Sequence, residues 1–284
     1  MQIIRKTNEL AALCRTWRFS GLHTALVPTM GYFHEGHKSL MRRGREISDK
    51  LIVSLFVNPA QFGPNEDLAA YPRNFDLDAA IAEEMGADIL FAPDPEAMYL
   101  QDHATWVEVP SLSGTLCGLS RPTHFRGVCT VVNKLFMLVL PTTALFGEKD
   151  WQQLAILKRM ARDLNIPVSI QGMPTIRETD GLAMSSRNAY LTPEERVMAP
   201  ALQKGLQEAA LSLTKGERST KNLASVIRSH WQKQLPLGQE DYLFFVHPET
   251  LSPVEHIENT VLVAAAVRLG KTRLIDNLLL CVPA

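Results

Sequence analysis

Short apolar runs alternate with longer amphipathic stretches over the first 175 or so residues. The runs are rich in aliphatic and aromatic residues, which predicts β-strands. The predicted strands are Thr24–Pro28, Leu51–Val57, Asp88–Ala92 and Ala144–Gly147. Strands that are apolar on both faces and separated by helices are typical of a parallel sheet covered on both sides. The pattern therefore predicts an α/β fold with a Rossmann-like parallel-sheet domain.

Helical spacing of apolar residues fills the segments between these strands. One predicted face contains Leu40, Gly44 and Ile47, and a second contains Leu77, Ile81 and Met85. A third helix is expected after Asp150, because Leu154, Leu157, Ala161 and Leu164 keep helical spacing and Pro167 follows.

The character of the sequence changes to a polar, glycine-containing loop around Thr175–Asn188. A helix start follows, with Thr192 as N-cap, Pro193 at the first helical position and Glu195 three residues after the cap. Helix is predicted from there to about residue 234, and strands at Asp241–Val246 and Thr260–Val267. We therefore predict two domains, 1–175 and a smaller α+β domain at 176–284, which we expect to act as a lid.

Composition and charge narrow the class of protein. The formal net charge is −1 and the pI about 6.7, so no overall field attracts nucleic acid or a membrane surface. The N-terminus lacks the apolar core of a signal peptide, and no stretch approaches the roughly 20 apolar residues of a membrane span. The four cysteines have no CxxC spacing, which favours reduced thiols. We expect a cytoplasmic protein without nucleic-acid or membrane partners.

Two histidines and two glycines stand in MGYFHEGH, residues 30–37, where the first predicted strand meets a helix. The amide groups and positive dipole end of a helix start attract phosphate. Gly36 permits close approach of the backbone, and His34 and His37 are spaced to point to one side. Such imidazoles can donate hydrogen bonds to a triphosphate and stabilise charge at the α-phosphate. The motif resembles the HIGH signature of nucleotidylyltransferases and class I aminoacyl-tRNA synthetases.

The partner signature of that superfamily is a KMSKS-like loop. Here AMSSR, residues 183–187, supplies the hydroxyls of Ser185 and Ser186 and the guanidinium of Arg187 after the predicted sheet. Alone, this segment is equally well interpreted as an ordinary turn. Together with the histidine motif it predicts a second phosphate-binding element.

Two further clusters follow predicted strands. In FGEKDWQQ, residues 146–153, Lys149 is a point charge suited to phosphate at a helix start, and Gln153 lies one turn further on the same side. A solvated helix glutamine is the open alternative for Gln153. Asn58 and Gln61, in FVNPAQF, also lie at the carboxyl edge of the sheet.

Together these motifs resemble the pantothenate synthetases, also called pantoate–β-alanine ligases. The resemblance rests on VPTMGxxHxGH, FVNPxQF, YPR, RPTHFRGV, FGEKDxQQ, DGLAMSSRN and TRLIDN, in order along nearly all 284 residues. It implies ATP-dependent condensation of (R)-pantoate with β-alanine through a pantoyl adenylate, with release of AMP and pyrophosphate. It also implies Mg2+, which accompanies ATP, and a homodimer.

The resemblance assigns roles to particular residues. It implies that His37, His34 and Lys149 are catalytic, that Gln61 and Gln153 bind pantoate, and that Gln61 also borders β-alanine. The implied ATP-binding residues are Met30, Gly31, His34, Gly36, His37, Gly147, Glu148, Lys149, Asp150, Ile176, Met184, Ser185, Ser186 and Arg187. We expect Lys149, Arg187 and the two histidines to supply positive charge for the pyrophosphate, and we assign no metal-ligating residue.

Phe33 departs from the family pattern, in which leucine is usual, and is expected to change only packing under the nucleotide loop. His247 stands where many relatives carry an acid and affects no catalytic position. Asp76 and Asp78 begin the third βα segment and could approach the metal through water, although ordinary helix N-terminal acids are the favoured interpretation.

Three other functions use parts of the same pattern. A nucleotidylyltransferase that releases its nucleotidylated product differs only in the acceptor site and the second step. An aminoacyl-tRNA synthetase is disfavoured because the chain has no room for an anticodon-binding domain. A catalytically inactive nucleotide sensor would not need both histidines and both glutamines.

Overall fold

A six-stranded parallel sheet forms the larger part of the fold in this computed structural model, which describes residues 1–64 and 66–282. Its strand order is β1-β4-β3-β2-β5-β6. The strands are β1 Gln2–Ile4, β2 Thr24–Thr29, β3 Lys50–Leu55, β4 Ile89–Phe91, β5 Thr143–Gly147 and β6 Ser169–Met173. The four predicted strands are present, with ends that shift by one or two residues. The predicted Rossmann-like parallel sheet is confirmed.

Helices cover both faces of this sheet. On one face, α1 Thr7–Phe19, α7 His124–Val139 and α8 Trp151–Asp163 share a core with Leu26 and Ile52. On the other, α2 Glu35–Ile47 and α3 Phe75–Glu84 pack on the alternate positions Val27 and Val53. The period of two along a strand sends neighbouring side chains to opposite cores, which explains why β2 and β3 are apolar throughout. The helix predicted after Asp150 is confirmed as α8.

The structure also contains elements that the hydrophobic pattern did not predict. Helices α1 and α7 and strands β1 and β6 belong to this group, as do three short helices, α4 Pro95–Met98, α5 Pro110–Ser113 and α6 Cys117–Ser120. One predicted helix face is also wrong in detail. Leu77 is 50% exposed, and the buried stripe of α3 contains Asp78, Ile81 and Ala82 instead.

Within residues 176–282 the chain forms three α-helices and a three-stranded antiparallel sheet in the order β7-β8-β9. These elements are α9 Pro193–Met198, α10 Ala201–Thr214, α11 Thr220–Gln234, β7 Gly238–Val246, β8 Thr260–Leu269 and β9 Thr272–Cys281. The capping box at Thr192 and Glu195 is confirmed. The single helical stretch predicted to residue 234 is divided into α9, α10 and α11, and β9 was not predicted.

The small sheet lies between two cores. Val261, Val263 and Phe245 share a core with α10 and α11, whereas Leu262 and Ala264 pack into the core of the parallel-sheet part. A hydrogen bond from Trp151 Nε1 to the Pro248 carbonyl, 2.8 Å, joins the two parts. The boundary at 175/176 and the lid role stay predictions.

No helix within residues 1–64 and 66–282 is both long and apolar enough to cross a membrane.

Candidate active site

The order of the strands reverses at β2, which lies between β3 and β5. In open parallel sheets, a crevice for ligands forms at the carboxyl ends of the strands where the order reverses. Here the loop 30–34 after β2 and the turn Glu148–Asp150 after β5 border a cavity of about 1100 Å³. The location predicted for the site from the sequence is therefore also the location of a large cavity.

Most of the predicted site residues line this cavity. They are Met30, His34, Gly36, His37, Gln61, Gly147, Lys149, Asp150, Gln153, Ile176, Met184, Ser185, Ser186 and Arg187. Gly31 and Glu148 do not line it, although both adjoin residues that do. Gly31 is buried within the loop 30–34, which leads to the histidines.

The rings of the two histidines are both held by backbone amides of the motif itself. Nδ1 of His34 accepts a hydrogen bond from the Gly36 amide at 3.1 Å, and Nδ1 of His37 accepts one from the His34 amide at 3.3 Å. A ring nitrogen that accepts a hydrogen bond carries no proton, so each neutral ring has its proton on Nε2. A Cβ on residue 36 would lie 2.9 Å from Nδ1 of His34, which explains the glycine between the histidines.

Both rings are neutral at neutral pH. Burial, together with the nearby Lys149, lowers the pKa of His34 to about 4. Burial, His34 and Lys149 likewise hold the pKa of His37 well below its usual value. The ring centroids are 4.1 Å apart, so two charged imidazoles would repel each other. Without a bound ligand the histidines therefore offer a pair of neutral Nε2–H donors, and their expected contribution of positive charge to the pyrophosphate stays a prediction.

Asp78 holds the turn that precedes these histidines. Its carboxylate accepts hydrogen bonds from the amides of Tyr32, at 2.8 Å, and Phe33, at 2.7 Å. Tyr32 has φ +54°, and a left-handed residue other than glycine costs roughly 1–2 kcal/mol. Two hydrogen bonds to a charged group, each worth roughly 1.5–3 kcal/mol, offset that cost. Both oxygens of Asp78 therefore bind the loop. The sequence suggested either an acid that approaches the metal through water or an ordinary acid at a helix N-terminus, and neither interpretation includes this contact.

Lys149 reaches across the cleft from the end of β5. Its Nζ donates a hydrogen bond to the Met184 carbonyl at 3.0 Å. Burial lowers the pKa of Lys149, although Asp150 and Asp276 oppose the shift. The side-chain amide of Asn277, in β9, donates to the carbonyls of Glu148 at 3.0 Å and Lys149 at 2.8 Å, and thereby fixes this turn from the C-terminal part.

Arg187 is paired with a carboxylate on the opposite side of the cavity. Its Nε and Nη2 lie 3.0 and 3.1 Å from the two oxygens of Asp67. Its guanidinium also stacks over the ring of Tyr71, 5.4 Å from the centroid, and the Tyr71 hydroxyl is 3.1 Å from that of Ser186. Segment 185–187 is therefore bound to residues 67–71, a contact that local sequence patterns did not predict.

Gln61 is held rigidly in the cavity wall. It is 8% exposed, its Oε1 accepts from Asn58 Nδ2 at 3.1 Å, and its Nε2 lies 2.9 Å from the sulfur of Met30. Asn58 Nδ2 also donates to the Gly127 carbonyl at 3.1 Å. A Cβ on Gly127 would lie 2.2 Å from the Ala60 carbonyl oxygen, so α7 contacts this turn backbone to backbone.

A network that includes His124 and Arg121, which also line the cavity, supports the same turn. His124 Nδ1 lies 2.8 Å from the Gln61 carbonyl, and its Nε2 lies 3.2 Å from Nη1 of Arg121, which pairs with Glu66. Because arginine can only donate, Nε2 accepts and Nδ1 carries the proton. Burial and Arg121 lower the pKa of His124 to about 3.

The two neighbouring glutamines of α8 differ in role. Gln152 is 7% exposed and bonds the Cys117 amide at 3.0 Å and the carbonyls of Leu112 and Thr115 at 2.9 and 2.7 Å. Gln153 lines the cavity, and its amide has no protein hydrogen-bond partner within the described ranges. The position predicted for a ligand-binding glutamine is therefore the one with free hydrogen-bonding capacity.

The carboxylates of the cavity suit a metal that arrives with its phosphates. Within the described part of the chain, no three His, Cys, Asp or Glu side chains lie together as a metal site. Asp67 and Asp276 are in ion pairs with arginines, whereas Asp150 is exposed at the cavity and makes no side-chain hydrogen bond in residues 1–64 and 66–282. Mg2+ needs only one or two protein carboxylates when phosphates and water supply the other ligands.

Comparison with known proteins covers the whole fold. The family model described as pantoate-beta-alanine ligase matches residues 2–279. The pantothenate synthetase of Nitratidesulfovibrio vulgaris strain Miyazaki F is 60% identical over 280 residues, 99% of each chain. That of Oleidesulfovibrio alaskensis is 61% identical over 280 residues, covering 99% of this chain and 100% of the other.

Solved structures of the same family are similar to nearly the whole of this chain. The pantothenate synthetase of Thermus thermophilus superposes with a TM-score of 0.92 and 43% identity, over 98% of this chain and 99% of the other. The pantoate-beta-alanine ligase of Francisella tularensis, complexed with beta-gamma ATP and beta-alanine, has a TM-score of 0.80 and 31% identity, over 98% and 97% of the two chains.

Proposed function

The chain belongs to the pantoate–β-alanine ligase family, and from the geometry of its cavity we propose that it condenses (R)-pantoate with β-alanine at the expense of ATP. The reaction passes through a pantoyl adenylate and releases AMP and pyrophosphate. The observation that carries this proposal is the convergence of two Nε2–H donors and the Lys149 ammonium at the strand-order reversal, with Gln61 and Gln153 in the same cavity.

The first step is attack of the pantoate carboxylate on the α-phosphorus. His34 and His37 donate Nε2 protons to phosphate oxygens, and Lys149 supplies positive charge as pyrophosphate leaves. Neutral histidine donors suit this role because they stabilise developing charge without a proton transfer. Gly36, Gly147, Ile176, Met184 and Ser185 lie along the cavity wall where ATP is expected to bind.

Gln61 and Gln153 are proposed to hold pantoate. Amide groups both donate and accept hydrogen bonds, so they can orient a hydroxy acid without competing as nucleophiles. Gln61 also borders the space for β-alanine, whose amine then attacks the acyl carbon and displaces AMP. Holding the reactants in line converts an encounter in solution into a step within one complex.

The C-terminal part is proposed to close as a lid over the intermediate. Two contacts between the parts support this proposal: the pairing of Arg187 with Asp67, and a hydrogen bond of 2.9 Å from the Tyr190 hydroxyl to the Ala70 carbonyl. Exclusion of water would protect the adenylate from hydrolysis.

Mg2+ is proposed as the companion of ATP, where it would neutralise phosphate charge. Asp150 is the side chain proposed to help hold it. Lys149 and the histidine donors approach the phosphates directly.

We also propose that the protein is a cytoplasmic homodimer. Residues 103–109 run without a strand partner among the described residues, and Trp106 there is 40% exposed. This segment offers a surface for a second copy. Light scattering coupled to gel filtration would give twice the mass of 31.7 kDa if this is correct, and a single-chain mass if it is not.

The experiment that tests the reaction uses pantoate labelled with ¹⁸O in its carboxylate. Attack on the α-phosphorus transfers one labelled oxygen to AMP, and exchange of labelled pyrophosphate into ATP then requires pantoate but not β-alanine. ADP as product, or label in inorganic phosphate, would contradict adenylation. Release of pantoyl adenylate without amide formation when β-alanine is present would favour the nucleotidylyltransferase alternative.

A further inference from the structure

Two acidic residues begin helix α3, and they differ completely in environment. Asp76 is exposed on the first turn. Asp78, two residues later, is 1% exposed and gives both carboxylate oxygens to the loop that carries the histidines. The two residues share helix, charge and position near the helix start, and they differ in burial and in the contact with the loop.

The loop is shaped around this carboxylate. Gly31 has φ +90° and Tyr32 has φ +54°, so two successive residues are left-handed. Such a turn aims consecutive amide groups inward, which makes a concave site for an anion. The amides of Tyr32 and Phe33 converge on the two oxygens of Asp78, and a Cβ on Gly31 would lie 2.9 Å from Oδ2.

The turn is joined to the histidines through Phe33. Phe33 is 8% exposed, packs in the core with α2 and α3, and its ring lies 5.4 Å from that of His37. His34, the next residue, is the N-cap of α2. A shift of the Phe33 amide therefore changes the start of α2 and the direction in which both rings face the cavity.

We propose that Asp78 is the positioning residue of the ATP site: its carboxylate fills the concave turn Gly31–Phe33 and so fixes where His34 and His37 present their Nε2 protons.

The surroundings of Asp78 argue against a role in folding alone. The neighbouring buried positions of α3 are Ile81 and Ala82, and an apolar residue at 78 would continue this stripe. Within residues 1–64 and 66–282, burial and the amides of Tyr32 and Phe33 are the influences on the pKa of Asp78, with no cation among them, and burial raises that pKa. A buried charge without a cationic partner is costly. An asparagine is no substitute, because only one of its two terminal groups can accept a hydrogen bond.

The proposal rests on the proposed function, since it assumes that ATP binds at the histidines. The test compares Asp78→Asn with Asp76→Asn, which removes the same charge from the same helix turn. Calorimetry measures binding of a non-hydrolysable ATP analogue and, separately, of pantoate, and turnover is measured with both substrates saturating. Asp78→Asn is expected to weaken the ATP analogue at least tenfold and to lower kcat, with pantoate affinity within twofold of wild type. Asp76→Asn is expected to change neither.

Equal behaviour of the two variants, or equal losses of ATP and pantoate affinity in Asp78→Asn, would overturn the proposal. If Asp78→Asn does not fold, Asp78→Glu keeps the charge but displaces the carboxylate, and the same selective loss of ATP affinity is expected; unchanged ATP affinity would overturn the proposal. If the wild-type protein binds the ATP analogue but forms no pantothenate, the proposed reaction is wrong. The comparison of ATP-analogue binding between the variants would still test the role of Asp78.

Discussion

Arg187 and Asp67 form a two-point ion pair across the cavity, with N–O distances of 3.0 and 3.1 Å. Burial raises the pKa of Asp67, but the Arg187 guanidinium more than offsets this and keeps the pKa below its usual value. Both side chains are about a quarter exposed, at 26% and 28%. The carboxylate therefore occupies the guanidinium that ATP phosphates are proposed to bind.

Asp67→Asn is expected to tighten ATP binding. Partly exposed ion pairs contribute about 0.2–1 kcal/mol, so loss of the competing carboxylate should lower the Kd for ATP by a factor of about 1.4 to 5. Titration calorimetry measures the change, and Arg187→Gln should weaken ATP binding as the opposite control. Weaker ATP binding in Asp67→Asn would show that the pair assists ATP rather than competes with it.

Replacement of His37 separates its hydrogen bond with the His34 amide from its proposed donation into the cavity. His37→Asn can retain an acceptor for the His34 amide but cannot reach the cavity with a donor, so kcat should fall about 10²–10³-fold as for loss of a positioned donor. His37→Gln can place an amide donor near the position of Nε2 and should retain more activity. Steady-state kinetics measure both, with melting temperature as the folding control. Wild-type turnover by His37→Asn would contradict the catalytic assignment.

Gln153→Ala should change ligand affinity, whereas Gln152→Ala should change the stability of the fold. Within residues 1–64 and 66–282 the Gln153 amide has no hydrogen-bond partner, so its loss should weaken pantoate about tenfold or more while ATP affinity and stability stay unchanged. Gln152→Ala removes three hydrogen bonds, each worth about 1 kcal/mol, and should lower the free energy of unfolding by about 2–3 kcal/mol. Calorimetric titration and denaturant unfolding distinguish them.

Gln61→Ala should resemble Gln153→Ala in ligand preference, since Gln61 lines the same cavity. Equal loss of ATP and pantoate affinity in either cavity glutamine variant would show that the assigned roles are incorrect.

Stability should decrease in mild acid because buried histidines stay neutral in the folded state. The pKa of His124 is about 3 and that of His34 about 4, whereas unfolded histidine titrates near 6.5. Between about pH 6.5 and 4 the unfolded chain binds more protons, so the free energy of unfolding falls as pH falls. Urea unfolding across this range should show a shallower dependence in His124→Asn, which keeps a donor toward the Gln61 carbonyl.

The matched control for this experiment is His256→Asn, at an exposed position. It should leave the pH dependence unchanged. The same slope in wild type and in His124→Asn would mean that His124 is already charged in the folded protein.

Closure of the C-terminal part should appear as compaction in solution. Small-angle scattering with a non-reactive adenylate analogue is expected to give a smaller radius of gyration than the ligand-free protein. Leu262 and Ala264 pack in the core of the larger part, so we expect the change in radius to be small. Superimposable profiles with and without the analogue would count against a lid.

The sequence predicted those features that depend on neighbouring residues. Local signals predict the strands β2 and β5, the capping box at Thr192 and the histidines at a helix start. The parallel topology then places these histidines at the carboxyl edge of the sheet. The neutral state of the histidines has no such signal, because it depends on burial by other segments.

The contacts that complete the candidate site connect distant parts of the chain. Asp78 binds an amide 46 positions earlier, Arg187 pairs with a carboxylate 120 positions earlier, and Asn277 bonds a carbonyl 129 positions earlier. A single sequence shows the residue types but not which ones meet. The same limit of a single sequence explains the wrong prediction for Leu77. Its apolar spacing predicted burial, whereas Asp78 occupies the buried stripe of α3.

The backbone contact between Gly127 and the turn at Ala60 has a consequence for redesign of the enzyme. Gln61 is fixed on one side by Asn58 and on the other by a helix that tolerates no added atom at residue 127. Gln153, in contrast, projects from the first turn of α8, and no residue of the described part of the chain forms a hydrogen bond with its amide. A library intended to accept hydroxy acids of a different shape should therefore vary residue 153 and leave the wall formed by Asn58, Gln61 and Gly127 untouched.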